Sequence, residues 1–387
     1  MEQRILLDSS AGAPVWPEVK AAVLQALELS GNPSSIHAAG RQARALLEDA
    51  RAQVAALLNA QADTVHFTAC GTESNVWALR GLIAANKRPH PHVVISVIEH
   101  PSILLTARRL EMEGVSVSVL PVDGQGLVSP TALEAALTDN TALVSIMAAN
   151  GEIGTIQPVK ELAAIAHARG ALFHTDAVAA VGFMPVDVED WKVDALSLAA
   201  NTWHGPAGAA ALYVREGVRV LPLLEGGGQE QGGRSGTEAL PAIAGMGAAA
   251  LRAKTELSRG TDRLAALRDR LREGLTQRLS GLRTNGSWAC RLAHNLHVCV
   301  DGASSESLVL ALDQAGVATG LGSACNAKAM RPSHVLKAIG LSDAQAAGAL
   351  VLSLSWMTSV EAIDRAVELI ADVTGKLRRV TALTARS

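Results

Sequence analysis

Four side chains of this 387-residue sequence are thiols, Cys70, Cys290, Cys299 and Cys325, and they are the first candidates for chemistry. They show neither CxxC spacing nor a zinc-ligand pattern, so isolated thiols in a reducing compartment are expected. Only the thiolate is a nucleophile, so reactivity needs charge stabilisation and access. Cys325 offers both. Lys328 lies three residues on and Arg331 six, and Gly322-Ser323-Ala324 with polar Asn326 reads as a loop. The plain alternative is a small buried residue. Cys290 and Cys299 read as structural.

The elements that would position these residues follow a βα rhythm. Apolar runs at residues 93–98, 142–147, 171–174 and 209–214 read as buried strands. Between them, residues 130–137 and 159–168 read as helices, and residues 41–58 place Leu47, Ala50, Val54, Leu57 and Leu58 on one helical face. Such alternation implies a mostly parallel sheet covered by helices on both faces. The Gly-rich stretch at residues 225–236 must be a loop, and one long helical segment over about 240–279 follows. The texture then changes to strand, helix and strand at residues 295–300, 305–314 and 349–354. The expected division is a large domain over residues 15–261 and a smaller α/β domain formed by 1–14 and 262–387, the latter carrying the Cys325 loop.

The bulk properties are those of a globular chain, 49 % hydrophobic and 18 % charged, with a core of Ala, Leu and Val because aromatics are only 3 %. A net charge of −3 gives no electrostatic reason to expect nucleic acid or an anionic membrane as partner. No apolar run reaches the roughly 18 residues that span a bilayer. The first residues have no signal-peptide apolar region, so a cytoplasmic protein without bound metal is expected.

Seven segments carry a resemblance. They are GNPSSIHAAGRQAR (31–44), FTACGTES (67–74), IEHPSIL (98–104), NGEIGTIQPV (150–159), HTDAVAAVG (174–182), RSGT (234–237) and GSACNAKAMRPSHVLKAIGL (322–341). In this order and spacing the chain resembles the cysteine desulfurases, which are class V aminotransferase-fold enzymes. The resemblance implies an α/β fold of the fold-type-I pyridoxal phosphate (PLP) transferase kind, with a mixed, mostly parallel sheet in the large domain. It implies PLP as the family cofactor and a dimer as the family assembly.

The same resemblance marks departures. The family attaches PLP as a Schiff base to a lysine in a segment like S-x-S-x-H-K-x-x-G-P. Here residues 197–206 read SLAANTWHGP, which puts Thr202 at the lysine position, Asn201 at the histidine and Ala199 at a serine. The flanking Ser197 and Gly205-Pro206 fix the register. A hydroxyl forms no imine. Ala179 stands where the family has a glutamine near the ring oxygen, and Val351 where it has an arginine that clamps the substrate carboxylate. An aliphatic side chain cannot replace a bidentate guanidinium, and a charge left buried and unpaired costs on the order of 2–5 kcal/mol.

Other family positions survive. Asp176 matches the carboxylate that pairs with the pyridinium nitrogen, His100 the histidine that stacks on the ring, and Asn150 an asparagine near the ring oxygen. Gly71-Thr72 matches a strand-to-helix turn whose amides and hydroxyl could hold an anion. Each could equally be inherited structure. Cys325 matches the cysteine that becomes a persulfide, and Cys70 sits where a glycine is more usual, as a possible second thiol for a disulfide or sulfur relay. Thr237 matches a threonine that contacts the partner subunit's cofactor phosphate. Trp203, beside the former lysine position, reads either as core or as a plug in the cofactor space, and Trp356 too stands where smaller or charged residues are usual.

Three functions follow as expectations. The first is a non-catalytic homologue that pairs with a lysine-bearing desulfurase, or carries a persulfide on Cys325 for an acceptor protein. It would hold no covalent PLP, with weak noncovalent binding left open. The second is an active PLP enzyme using another lysine, for which Lys328 is the candidate. The third is a scaffold that binds another small ligand without sulfur chemistry.

Overall fold

A computed structural model describes residues 4–321 and 333–384. Its centre is a seven-stranded sheet in the order Val65–Thr68, Ala210–Val214, Ala195–Ala199, Leu172–Asp176, Thr141–Ser145, His92–Ser96 and Ser116–Leu120. The last five are mutually parallel, and Ala210–Val214 runs against both its neighbours. Four of the inner strands are buried at every position, as expected of short apolar runs covered on both faces. Sequence reading placed four of these seven strands within two residues or so.

Six of the strands point the same way, and the carboxyl ends of five of them deliver side chains to one place. Thr68 leads to Cys70, Ser96 to His100 and Ser145 to Met147, while Asp176 and Ala199 are themselves strand-terminal. Crevices at the carboxyl ends of parallel strands are where open α/β sheets bind ligands.

Outside the sheet, helices Ala38–Leu58 and Leu240–Ser258 pack against each other. The long helical segment expected over 240–279 is in fact two helices, Leu240–Ser258 and Asp262–Arg278. Gly260 breaks them with φ +85, a left-handed value that glycine adopts without penalty. The Gly-rich loop contains a short turn at Gln229–Gly232, and Glu230 from it reaches the interior. There its carboxylate takes two hydrogen bonds from Arg51, at 2.6 and 2.9 Å, and one from the Phe67 amide.

A second, antiparallel sheet orders Ala349–Ser353, Asn295–Val300 and Leu282–Thr284. Strand Ile5–Leu7 pairs in parallel with Val317–Thr319, and Asp8 bridges to Ser353, so the start of the chain is stitched to its last third. Among the described residues no helix is long and apolar enough to cross a membrane.

Candidate active site

Beneath the strand ends lies a cavity of about 360 Å³. Nine residues singled out from sequence line it: Cys70, Gly71 and Thr72 on one wall, His100 and Asp176 on another, and Ala179, Ala199, Asn201 and Thr202 along the floor. A second cavity of about 480 Å³ adjoins it, sharing Ser10, His100, Met147 and Gly151, and is lined by Asn150 and Val351. Thr237 lies elsewhere, in a small recess with Glu230 and Arg234. Cys325, Lys328 and Arg331 lie outside the described residues.

The wall around Asp176 is a connected polar chain. The Val178 amide donates to Asp176 Oδ1 at 3.0 Å, and Asn75 Nδ2 donates to Oδ2 at 2.7 Å. Asn75 Nδ2 also reaches Ser102 Oγ at 2.9 Å, and Ser102 Oγ meets His100 Nδ1 at 2.7 Å. Burial pushes the Asp176 carboxyl upward; its hydrogen bonds and the nearby His100 pull the other way. Cys70 is exposed, and its thiol makes no capping bond at the start of helix Gly71–Ala85.

The Thr202 hydroxyl donates to the carbonyl oxygens of Val178 at 2.8 Å and Ala199 at 3.2 Å. It is tied into the short turn Ala200–Trp203. Asn201 makes one long contact, from Nδ2 to the Ala11 carbonyl at 3.4 Å. Asn150 is consumed locally: Nδ2 donates to the Ile98 carbonyl at 3.1 Å, and Oδ1 accepts from the amides of Glu152 and Ile153. Trp203 is fully buried in the hydrophobic core and lines neither cavity, so the plug reading is corrected: its indole packs behind the site, over Gly182.

The second cavity is rich in carboxyls. Asp8, Glu99 and Glu152 line it together with Val351. Burial raises all three, Glu99 to about 8 and Glu152 to about 7. Ser333 Oγ donates to Glu152 Oε2 at 2.7 Å, and His334 Nε2 donates to the Glu99 carbonyl at 3.0 Å. No arginine or lysine is among the described residues lining either cavity.

Sequence reading missed several lining residues. Asn75 was within reach of it, one helical turn after Gly71 on the face that meets the cavity. Phe183 and His294 carried no local signal. They stack at 3.6 Å between ring centroids, and Trp356 lies parallel behind Phe183 at 6.2 Å. Burial holds the His294 imidazole neutral, down to about 3.

The aminotransferase class-V family profile matches residues 5–365. A cysteine desulfurase IscS of Methanosarcina thermophila is 43 % identical over 381 residues, covering 98 % of this chain and 94 % of that protein. The chain belongs to the cysteine desulfurase family of class V aminotransferases. A cysteine desulfurase of Cereibacter sphaeroides is 42 % identical, with 98 % of each chain covered. Among solved structures, a NifS-like protein superposes with a TM-score of 0.90 at 33 % identity, covering 97 % of this chain and all of that one. The fold is therefore the fold-type-I PLP-transferase fold, as the sequence implied.

PLP is the cofactor of that family. The described residues meet its requirements in part. Asp176 is buried and lines the cavity, as a partner for a pyridinium nitrogen would, His100 lines it too, and Gly71-Thr72 at the cavity open a 15-residue helix whose start would favour an anion. Asn75 Oδ1 is buried without a partner, which fits a ligand that donates a hydrogen bond. No amine lines the cavity among the described residues, so none of them could anchor the cofactor covalently.

Proposed function

We propose that this protein works in the transfer of sulfur from cysteine as a member of the desulfurase family, and that it does not itself carry the covalent PLP step at position 202. It serves either as the non-catalytic partner of a lysine-bearing desulfurase or as a persulfide carrier through Cys325. The observation that carries this reading is the Thr202 hydroxyl, bonded back to two main-chain carbonyls at the lysine position. Support comes from the second cavity, where Val351, two buried carboxyls and the half-buried Asp8 offer no cation to a substrate carboxylate among the described residues. PLP, when bound by a family member, supplies the electron sink; here Asp176, His100 and the start of helix Gly71–Ala85 are the groups that would orient it.

Assembly follows the same reading. Thr237 lies outside this chain's own cavity and is exposed, which supports a role at another subunit's site in a homodimer or heterodimer. The recipient of the sulfur is an acceptor protein.

A second reading, an active cysteine desulfurase that uses another lysine, is the one the relatives' names favour, and Lys328 is the candidate anchor. Relatives named as cysteine desulfurases match almost the whole chain at 39–43 % identity. The side chains around the cavity favour the first reading, and the relatives favour the second. A scaffold that binds another ligand without sulfur chemistry has no observation of its own in support. Absorption spectra of the purified chain before and after addition of PLP, with sulfide release from cysteine measured on the same sample, separate the two. No bound chromophore and no sulfide support the first; a chromophore lost in Lys328→Ala, with sulfide release, establishes the second.

A further inference from the structure

With Thr202 in place of an amine, the thiol on the cavity wall is that of Cys70. Three observations give it a setting. It is exposed and occupies the N-cap position of a 15-residue helix, with extended backbone (φ −163, ψ 163) and no capping hydrogen bond from its side chain. An N-cap side chain lies where its outer atom can accept from the first free amides of the helix, and the helix end favours negative charge. A bare thiol is a poor acceptor; a persulfide extends the side chain by one atom and readily carries a negative charge on it.

The second and third observations concern two other residues that line the cavity. Asn75 is 1 % exposed and His294 is 2 % exposed. Both line this cavity, yet Asn75 Oδ1 and His294 Nδ1 have no hydrogen-bond partner among the described residues. A buried amide oxygen left without a donor is destabilising, so such a pair marks a place where a ligand completes the bonding. An ammonium or other N–H donor satisfies the amide oxygen. About 360 Å³ is room for a small molecule rather than a protein segment.

We infer that Cys70 is a sulfane-sulfur acceptor, taking sulfur from a low-molecular-weight aminothiol persulfide bound between Asn75, His294 and the start of helix Gly71–Ala85. This rests on the reading that no amine occupies the cavity. In the step, the Cys70 sulfur attacks the outer sulfur of R–S–SH. The bond from that sulfur to R–S breaks as the new S–S bond to Cys70 forms. The proton of the Cys70 thiol goes to the departing R–S⁻, giving Cys70–S–SH and R–SH with no net oxidation. The first amides of the helix then hold the terminal sulfur.

The test uses the full chain carrying Cys325→Ser, without PLP, so its outcome is independent of whether Lys328 anchors a cofactor. The reduced protein is mixed with cysteine persulfide, trapped with iodoacetamide at intervals, and mapped by peptide mass. Cys290 is the internal control, an exposed thiol away from the cavity. Cys70 should gain a sulfur about tenfold faster than Cys290. Asn75→Ala and His294→Phe should each slow that gain severalfold while leaving direct alkylation of Cys70 by iodoacetamide unchanged. Loading of Cys70 no faster than that of Cys290, or loading at the unaltered rate in Asn75→Ala, overturns the inference.

Discussion

Thr202 Oγ1 lies 2.8 Å from the carbonyl oxygen of Val178, and that bond commits the hydroxyl's only proton to the main chain at the floor of the cavity. Nothing at this position can condense with an aldehyde. Thr202→Lys replaces the hydroxyl by an amine in a cavity that keeps Asp176 and His100. The variant should therefore take up PLP with a visible absorbance that borohydride fixes, while the parent chain shows none under the same conditions. A parent chain that is equally coloured would move the anchor to Lys328. The lost hydroxyl bond is worth only about 1 kcal/mol, so the variant should fold.

Arg51 and Glu230 form the most deeply buried ion pair among the described residues, at 3 % and 1 % side-chain exposure. Removing one partner leaves an uncompensated charge in the interior. Glu230→Ala should cost about 3–5 kcal/mol in chemical denaturation. The double change Arg51→Met with Glu230→Ala should cost less than Glu230→Ala alone, because the orphaned guanidinium is gone. If the double variant is the less stable, the penalty comes from lost packing, not from the buried charge.

Much of this fold was legible because it is locally encoded. Residues 93–98 and 142–147 are too apolar and too short for anything but buried strands, and Val159–Ala168 was read to the residue. The break at Gly260 was also written in the sequence, but the apolar periodicity on either side of it concealed it. The cavity was legible by position through the family resemblance: nine of the residues singled out at family site positions do converge. What could not be read was which distant side chains close it. Phe183 and His294 stack across 111 positions of sequence, and the Arg51–Glu230 pair spans 179. No local pattern records such meetings, since each partner alone looks ordinary for its element. Trp203 shows the converse limit: beside the site, core and plug were both open from sequence, and its side chain turns into the core.

Stability should peak near mildly acidic pH, for reasons of opposite sign. Burial raises Glu99 from 4.5 to about 8 in the folded chain, so the folded state holds its proton more tightly. That contribution is fully present below about pH 4.5 and is lost as pH rises to about 8. Burial lowers His174, His294 and His297 from 6.5 to about 3, so the folded state binds fewer protons there. Their contribution is present above 6.5 and is lost as pH falls toward 3. Denaturation midpoints across this range should fall on both flanks. Glu99→Gln should flatten the fall between about pH 6.5 and 8, beyond the range in which the histidines act; an unaltered slope there would assign that flank to other groups, Glu152 among them.

Gly182 adopts φ +82, and a Cβ built there would stand 2.4 Å from the Cβ of Trp203. Its carbonyl also accepts from Trp356 Nε1 at 2.9 Å, so the position is held from two sides. Alanine at 182 must pay for a left-handed backbone, about 1–2 kcal/mol. It must also displace a fully buried indole, about 1–3 kcal/mol more. Gly217 separates these terms, because it has φ +81 but nothing within 4 Å of an added Cβ. Gly217→Ala should therefore show the backbone cost alone. The excess cost of Gly182→Ala, read from urea midpoints, measures how firmly Trp203 is seated behind the cavity. Equal costs for the two variants would mean that the indole yields, and that the floor around Thr202 is softer than its packing implies.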